Sequence, residues 1–397
     1  MAYYREMQQA LIKLATSFPI LCITGPRQSG KTTLTRQFFP DKPYFNLEDP
    51  SLREQINQDP KGLLASLGSR GAIFDEVQNL PILLSYLQVF VDEQSSKQSI
   101  KGQFVLTGSY NLGLLESVTQ SLAGRVGLLE LLPMSTDELS RAEISLTPEQ
   151  SLLFGGLPRV FSENISPTLV YQNYVKTYVE RDMRSLLNIK DLSQFQRFLT
   201  LCAGRIGSEF VASHLANDLG VSYHTVQSWV SVLEASYLIF RLPPYFENLG
   251  KRVIKSPKLY FCDVGLACYL LGIETEHQIN RDPLKGNLFE NLVVLDLYKK
   301  CLNLGREPRL FFYRDQGQHE VDLIWQQGRE LTPIEIKFGQ TFQASFTKGL
   351  TYFKSIAGER VPQGYVVYTG ETLAAPIGPW SIVNYQQSAQ EIVCGSV

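Results

Sequence analysis

The sequence has little that would commit it to a metal-binding or disulfide framework. Its six cysteines, Cys22, Cys202, Cys262, Cys268, Cys301 and Cys394, are scattered without a CxxC pair, and its four histidines do not cluster with them. That spacing argues against a zinc site and reads as reduced thiols of a cytoplasmic protein. No apolar run is long enough to cross a bilayer. The first residues, MAYYREMQQALIKLATSFP, lack the apolar centre of a signal peptide. Neither sign of charge is in excess: 37 Lys and Arg against 39 Asp and Glu leave a formal net charge of -2. There is therefore no global pull towards nucleic acid, and any DNA affinity must come from a local basic patch. Fixed-period repeats and low-complexity tracts are also missing. These absences predict a soluble, cytoplasmic chain with no membrane contact.

What is present is a 397-residue chain, 44% hydrophobic and 19% charged, enough for two or three cores. Residues 1–17 have the stripe of an amphipathic helix, with Met7, Leu11, Leu14 and Ala15 on one side. Short apolar runs at 20–24, 44–47, 72–74, 104–106 and 126–130 then alternate with helical stretches. This alternation predicts a parallel, three-layer α/β domain whose ligand sits beyond the carboxyl ends of the strands. From 133 to 201 the pattern is helical, broken at Gly155-Gly156-Leu157-Pro158. Residues 207–260 read as a winged helix: a tight turn at Gly220, a second helix at 223–235, and strands at 237–242 and 258–261, with Pro243-Pro244 near the wing turn. Mixed α/β returns in the remainder. A helix is expected at 288–300, strands at 310–313, 321–325 and 334–338, a helix at 346–355, and closing strands at 365–368 and 381–385. The expected domains are 1–135, 136–206, 207–262 and 263–397.

The run Gly25-Pro26-Arg27-Gln28-Ser29-Gly30-Lys31-Thr32 fits G-x-x-x-x-G-K-[ST] and lies between a strand and a helix. In such a cradle, continued by Thr33, backbone N–H groups converge on phosphates at a helix N-terminus. Lys31 would reach the β and γ phosphates, and Thr32 would offer its hydroxyl to Mg²⁺. ATP and Mg²⁺ are thus the expected cofactors. In Ala72-Ile73-Phe74-Asp75-Glu76 an apolar strand delivers Asp75 to Mg²⁺, directly or through water. Glu76 follows as the candidate general base; the alternative is a solvated turn residue. Thr107-Gly108-Ser109 ends the fourth strand, where a hydroxyl senses the γ-phosphate. Either Thr107 or Ser109 fits that role, and either also fits a helix cap.

The set GPRQSGKTTL, IFDEVQ, VLTGS and SLAGRV closely resembles a large prokaryotic group of AAA+ ATPases that carry a C-terminal domain of unknown function. The resemblance covers nearly the whole chain. It implies a sheet of order 5-1-4-3-2 with the phosphate-loop strand central. It also implies an arginine finger just before the fifth strand, the place of Arg125, acting from a neighbouring subunit of a homo-oligomer. A surface arginine is the alternative. Gly156-Leu157-Pro158 looks like the G-x-P element in the lid of STAND-type ATPases, which would bring Pro158 near the nucleotide and let Arg159 report on the phosphates; the alternative is a helix-breaking turn. Arg181 and Arg184 are further candidates, although their spacing also suits a solvated helix face.

The family resemblance also implies the winged helix. Ser222, His224, Thr225, Gln227 and Ser228 lie on its recognition helix, where they would reach base edges or phosphates. Lys251, Arg252, Lys255 and Lys258 form a local basic run suited to a nucleic-acid backbone. A lid or protein-docking role for this module stands as the alternative. Further on, Asp322 and the pair Glu335 and Lys337 lie on successive strands. Glu335 and Lys337 are two apart and share a face, while Ile334 and Ile336 point into a core. This looks like the PD-(D/E)xK, restriction-endonuclease-like fold. There the carboxylates bind Mg²⁺ and the lysine positions or activates water. Glu290, on the preceding helix, is a further candidate ligand. A cross-strand ion-pair ladder is the competing reading. The expected function is a Mg-dependent AAA+ ATPase that binds ATP and ADP, coupled to DNA binding and metal-dependent cleavage. Its rival is a STAND-like nucleotide switch that binds a protein partner and carries an inactive nuclease-like domain.

Overall fold

The computed structural model describes residues 3–95, 100–109, 118, 120–163, 165–179, 192–246 and 255–395. The chain divides into two compact units. One comprises Met1–Met134 with Ala235–Tyr237 and Leu302–Arg306; the other comprises Ser135–Glu234, Leu238–Cys301 and Glu307–Val397. No helix among the described residues is long and apolar enough to cross a membrane.

The first unit is built on five strands, β1 (Ile20–Thr24), β2 (Tyr44–Asn46), β3 (Ala72–Asp75), β4 (Phe104–Gly108) and β5 (Val126–Glu130). They pair in parallel in the order β2-β3-β4-β1-β5, the expected 5-1-4-3-2 order read from the opposite edge. β1, β3 and β4 are buried throughout, which is why they read as unbroken apolar runs rather than alternating ones. Around them lie α1 (Gln8–Ala15), α2 (Lys31–Phe38), α3 (Pro50–Gln58), α4 (Pro60–Leu67) and α5 (Ile82–Ser95). Met7 and Leu11 close one core with Leu21, Ile23, Ile73 and Val105; Leu83, Leu84 and Leu87 close the other with Cys22, Phe74 and Phe104. β3 starts at a position only glycine can fill. Gly71 has φ +64°, and a Cβ there would fall 1.7 Å from the Gln103 carbonyl oxygen.

The second unit opens with short helices, among them Thr136–Arg141, Pro148–Phe154, Pro158–Ser162 and Pro167–Tyr174. Helices Leu192–Ala203, Ala212–Leu219 and Tyr223–Ala235 follow, then an antiparallel ribbon of β6 (Ile239–Leu242) and β7 (Lys258–Phe261). After the 19-residue helix Lys285–Asn303 comes a second sheet. Its strands are β8 (Leu310–Arg314), β9 (Glu320–Gln327), β10 (Glu330–Lys337), β11 (Gly364–Tyr368) and β12 (Trp380–Asn384), in the order β12-β11-β10-β9-β8. β8, β9 and β10 form an antiparallel meander; β10, β11 and β12 are parallel. The helix Lys348–Ala357 packs Leu350 and Phe353 onto Val321, Ile324 and Val366. A closing helix, Tyr385–Cys394, lies beyond the elements expected from the sequence. Its turn-forming start, Asn384, caps Gln386 N–H, and its buried positions Tyr385, Ser388, Ala389, Ile392 and Val393 include a polar residue, which hides the apolar stripe.

The Gly155–Pro158 break is organised by Asp263. This buried carboxylate accepts from Gly156 N–H (2.9 Å), the Tyr171 hydroxyl (2.6 Å) and, as an N-cap, Gly265 N–H (2.9 Å). Removing it orphans several buried donors at once. Asp263→Ala is expected to destabilise this unit by about 3 kcal/mol, a lost cap plus unsatisfied buried groups. Urea unfolding at constant slope checks this, and an unchanged midpoint would refute it.

Candidate functional site

Two features bend the chain around the phosphate loop. Gly25 leaves β1 at φ +147°, with a would-be Cβ 2.2 Å from the Leu131 carbonyl oxygen. Gly30 then caps α2 at φ +96°. Gln28 adopts φ +62° without being glycine, a conformation that non-glycine residues occupy at a cost and mostly at functional turns. Pro26 supplies a carbonyl to the loop's interior, and Ser29 is fully buried. Arg27 faces Glu48 at 3.7 Å, and Thr33 is exposed on α2.

Lys31, the first residue of α2, is buried and curls back over the loop. Its Nζ donates to the Gly25 (3.0 Å) and Pro26 (2.7 Å) carbonyl oxygens. Burial brings its pKa down to about 8, against the pull of the Glu76 and Asp75 charges. Arg5, which no motif pointed to, belongs to the same cradle. Its guanidinium donates to the Ser29 and Leu132 carbonyl oxygens, each at 2.6 Å, tying the loop to the chain just past β5. The clue in the sequence is only an arginine within an otherwise amphipathic segment.

Asp75 ends β3 and is buried among hydroxyls. Its Oδ2 accepts from Thr32 (2.8 Å) and Tyr44 (2.5 Å), and its Oδ1 accepts from Thr107. Glu76 turns into the left-handed region at φ +56°. Its N–H donates to the Thr107 hydroxyl (3.2 Å), and its carboxylate accepts from Ser109 N–H (3.2 Å), the Ser109 hydroxyl and the Gln78 amide. Burial would raise its pKa, but the Lys31 charge and these hydrogen bonds outweigh it and hold the carboxyl below its ordinary value. Glu76 is thus a partly buried carboxylate held by hydrogen bonds from Ser109 and Gln78. Thr107 and Ser109 divide the work between them, Thr107 at Asp75 and Ser109 at Glu76.

Arg125 sits at the other end of the sheet. Its carbonyl accepts from Ile20 N–H at the start of β1. Four residue steps of about 3.3 Å each separate that edge from the strand end that carries the loop. Its guanidinium is paired bidentately with Asp92 of α5, Nε to Oδ1 at 2.6 Å and Nη2 to Oδ2 at 2.7 Å. Pro158 and Arg159 lie in the second unit: Pro158 opens a five-residue helix, and Arg159 pairs with Glu163. Arg181, Arg184, Lys251 and Arg252 lie outside the described residues.

In the second unit, β9 and β10 bring Asp322, Glu335 and Lys337 together. Lys337 Nζ lies 2.6 Å from Glu335 Oε1 and 3.2 Å from Asp322 Oδ2, and Ile336 N–H donates to Asp322 Oδ2 at 2.8 Å. Glu335 Oε2 is buried and has no hydrogen-bond partner. Burial and the Asp322 charge push the Glu335 carboxyl up to about 8, against the opposing Lys337 charge. Burial would lower the Lys337 pKa, yet Asp322 and Glu335 raise it. Gly349 lets the first turn of its helix come close: a Cβ there would meet the Glu320 carbonyl oxygen at 2.5 Å and Glu335 Oε2 at 3.0 Å. Glu290 accepts from Lys258 (2.8 Å) and from the Tyr260 hydroxyl (2.5 Å). Burial raises its pKa, with Lys258 opposing and the Asp322 charge adding to the rise. Among the described residues no three carboxylate, histidine or cysteine groups are gathered closely enough to form a ready metal centre.

Lys258 requires a correction. The sequence places it in a basic run suited to a phosphate backbone. In the structure it is 3% exposed and lies between Glu290 and Glu320, 2.6 Å from the latter. A β7 position facing two carboxylates takes it out of any surface patch; Lys255 remains exposed. On the helix Tyr223–Ala235, Val226, Trp229 and Leu233 are buried. Ser222 accepts from Thr225 N–H, Gln227 donates to the Tyr223 hydroxyl, and His224 and Ser228 are exposed, so the outer face is polar without a lysine or arginine.

The first unit carries a P-loop on a parallel five-stranded sheet of the order described above. A family model described as an AAA domain matches residues 17–140, and two models described as domains of unknown function, DUF8612 and DUF4143, match residues 147–277 and 285–385. The chain is 31% identical over 358 residues to the uncharacterized protein Rv2008c of Mycobacterium tuberculosis, spanning 89% of this chain and 77% of that one. The uncharacterized protein Mb2031c of Mycobacterium bovis matches to the same extent. The chain belongs to the same family as these mycobacterial relatives. Among solved structures, the Walker-type ATPase PABY2304 of Pyrococcus abyssi is similar at 15% identity and a TM-score of 0.45, over 67% of this chain and 94% of that one. The STAND protein PH0952 of Pyrococcus horikoshii, with a tetratricopeptide repeat sensor, is similar at 14% identity and a TM-score of 0.29, over 77% of this chain and 48% of that one.

Two titrations follow from these environments. With Lys31 near 8 in the free protein, a phosphate ligand restores its charge, so ATP binding at pH 8 to 9 is expected to take up a proton. Calorimetry in buffers of different ionisation enthalpy reads this directly; heats independent of buffer would refute it. Glu335 rises from 4.5 to about 8 on folding, so its contribution is fully present below pH 4.5 and is lost as pH climbs through 8. Glu335→Gln is expected to flatten the fall in thermal midpoint between pH 5 and 9; an unaltered slope would exclude Glu335 as its source.

Proposed function

We propose that this chain is a cytoplasmic, Mg-dependent ATPase of the AAA+ type whose nucleotide cycle drives a DNA-binding and nuclease-like second unit. The observation that supports it most is the joined network of Thr32, Asp75, Glu76, Thr107 and Ser109, with the Lys31 charge acting on Glu76 and Asp75. In this reading the backbone of residues 25–33 cradles the phosphates of ATP or ADP, and Lys31 leaves its loop carbonyls for the β and γ oxygens. Thr32 and Asp75 present adjacent oxygens, a donor set that fits Mg²⁺, which would supply charge neutralisation at the phosphates. Glu76, ionised and oriented by Ser109, accepts the proton of the attacking water. Arg125 acts in trans within a homo-oligomer after leaving Asp92, which accords with its place at the sheet edge remote from its own loop. Residues 136–206 serve as the lid, with Pro158 as its nucleotide-facing element, and 207–262 as the winged helix. Residues 263–397 form the restriction-endonuclease-like domain, where Asp322 and Glu335, with its orphaned Oε2, would hold a divalent cation assisted by Glu290, and Lys337 would position water.

A second reading is a STAND-like switch that binds a protein partner and carries an inactive nuclease-like domain. Two observations favour it. Every carboxylate of the second site faces a lysine, and the outer face of the helix Tyr223–Ala235 carries no positive charge, whereas phosphate contacts dominate DNA affinity.

Glu76→Gln is expected to bind ATP with near-native affinity and to lose at least a hundredfold in turnover; turnover within twofold of the native protein would remove Glu76 as the base. Equal mixtures of Arg125→Ala and Glu76→Gln chains should regain part of the activity that each lacks. Plasmid incubated with Mn²⁺, with and without ATP, separates the two readings. Cleavage lost in Lys337→Ala supports the nuclease, and intact plasmid with no retardation at moderate salt supports the switch.

A further inference from the structure

The ATPase unit contains a hydroxyl that no motif accounts for. Tyr44 opens β2, which pairs with β3 in parallel so that Tyr44 lies beside Ile73 and Asn46 beside Asp75. Paired residues of neighbouring strands point to the same face. The Tyr44 side chain, two residues short of Asp75, is long enough to reach it and places its hydroxyl 2.5 Å from Asp75 Oδ2. That oxygen also takes the Thr32 hydroxyl, at 2.8 Å. The Tyr44 ring is fixed from the other side by Arg36, whose guanidinium carbon lies 4.9 Å from the ring centre. Arg36 follows Thr32 by four residues on α2, so one helix face presents Thr32 to the carboxylate and Arg36 to the ring.

We propose that Tyr44 is the positioning residue of the metal-holding carboxylate: its hydroxyl holds Asp75 from the β2 side, so that Thr32 and Asp75 are already arranged for Mg-nucleotide. The inference rests on the ATPase reading. An ionised carboxylate has about four acceptor sites. Thr32, Tyr44 and Thr107 donate to three of them from α2, β2 and β4, which leaves acceptor capacity for one further partner. Thr32 would turn its oxygen to the metal in the proposed site, and Thr107 links to Glu76, so Tyr44 is the donor whose sole partner in this network is Asp75. Without it the carboxylate can turn about its side-chain torsion, and the metal, not the nucleotide phosphates, loses its partner.

The test uses Tyr44→Phe in the full-length chain, which keeps the ring and its packing. Fluorescent ATP-analogue binding is measured first in EDTA and then across a Mg²⁺ titration. The expected result is an affinity in EDTA within twofold of the native protein and a Mg²⁺ half-saturation about tenfold higher, the scale of one charge-assisted hydrogen bond. Thr32→Val should raise the half-saturation further. A half-saturation within twofold of native overturns the proposal. So does an equal loss of affinity in EDTA, because that is the pattern of a packing role. Native protein that binds no nucleotide at all overturns the ATPase reading, and the proposal falls with it.

Discussion

A buried carboxylate is tolerable only when its oxygens are hydrogen-bonded or matched by charge, since leaving it unpaired in the interior costs several kcal/mol. Asp75 meets that demand with three hydroxyls, and each comes from a different element: Thr32 from α2, Tyr44 from β2 and Thr107 from β4. The constraint therefore joins the phosphate loop, the outer strand and the strand that carries Ser109. A change at the loop that alters what Thr32 donates to is felt at Thr107, and through the Thr107 hydroxyl at Glu76 N–H. The phosphate loop and Glu76 are thus parts of one hydrogen-bonded network.

The second unit satisfies the same demand differently. Glu290, Glu320, Asp322 and Glu335 are answered chiefly by Lys258 and Lys337, with one hydroxyl, that of Tyr260, at Glu290. Hydroxyl donors add no charge of their own beside a carboxylate. Lysines bring a counter-charge to it. The two acidic clusters are thus built differently: the first is held by hydroxyls, and the second is arranged mainly around two lysines.

Much of the first unit was legible because buried parallel strands write themselves as apolar runs, and the candidate site residues lie at or just past their ends. Gly25 comes after β1, Asp75 ends β3, and Thr107 lies at the end of β4. Asp322, Glu335 and Lys337 were legible through the two-residue period of a strand. What could not be read were roles created by packing between distant segments. Tyr44 looked like strand filler, because nothing local says that its hydroxyl meets Asp75. Lys258 looked like part of a basic surface, because sequence records charge and not burial. The closing helix was hidden by Ser388 within its buried stripe.

Arg5 carries a last consequence. It precedes Met7 by two residues, and it is the side chain that ties the Ser29 carbonyl of the loop to Leu132. A polypeptide whose translation began at Met7 would keep every recognisable motif, the whole sheet and the whole of α1. It would nonetheless expose a loop carbonyl and a strand-end carbonyl in a place shaped to exclude water. Start-site choice and the placing of affinity tags thus become questions about the nucleotide cradle itself.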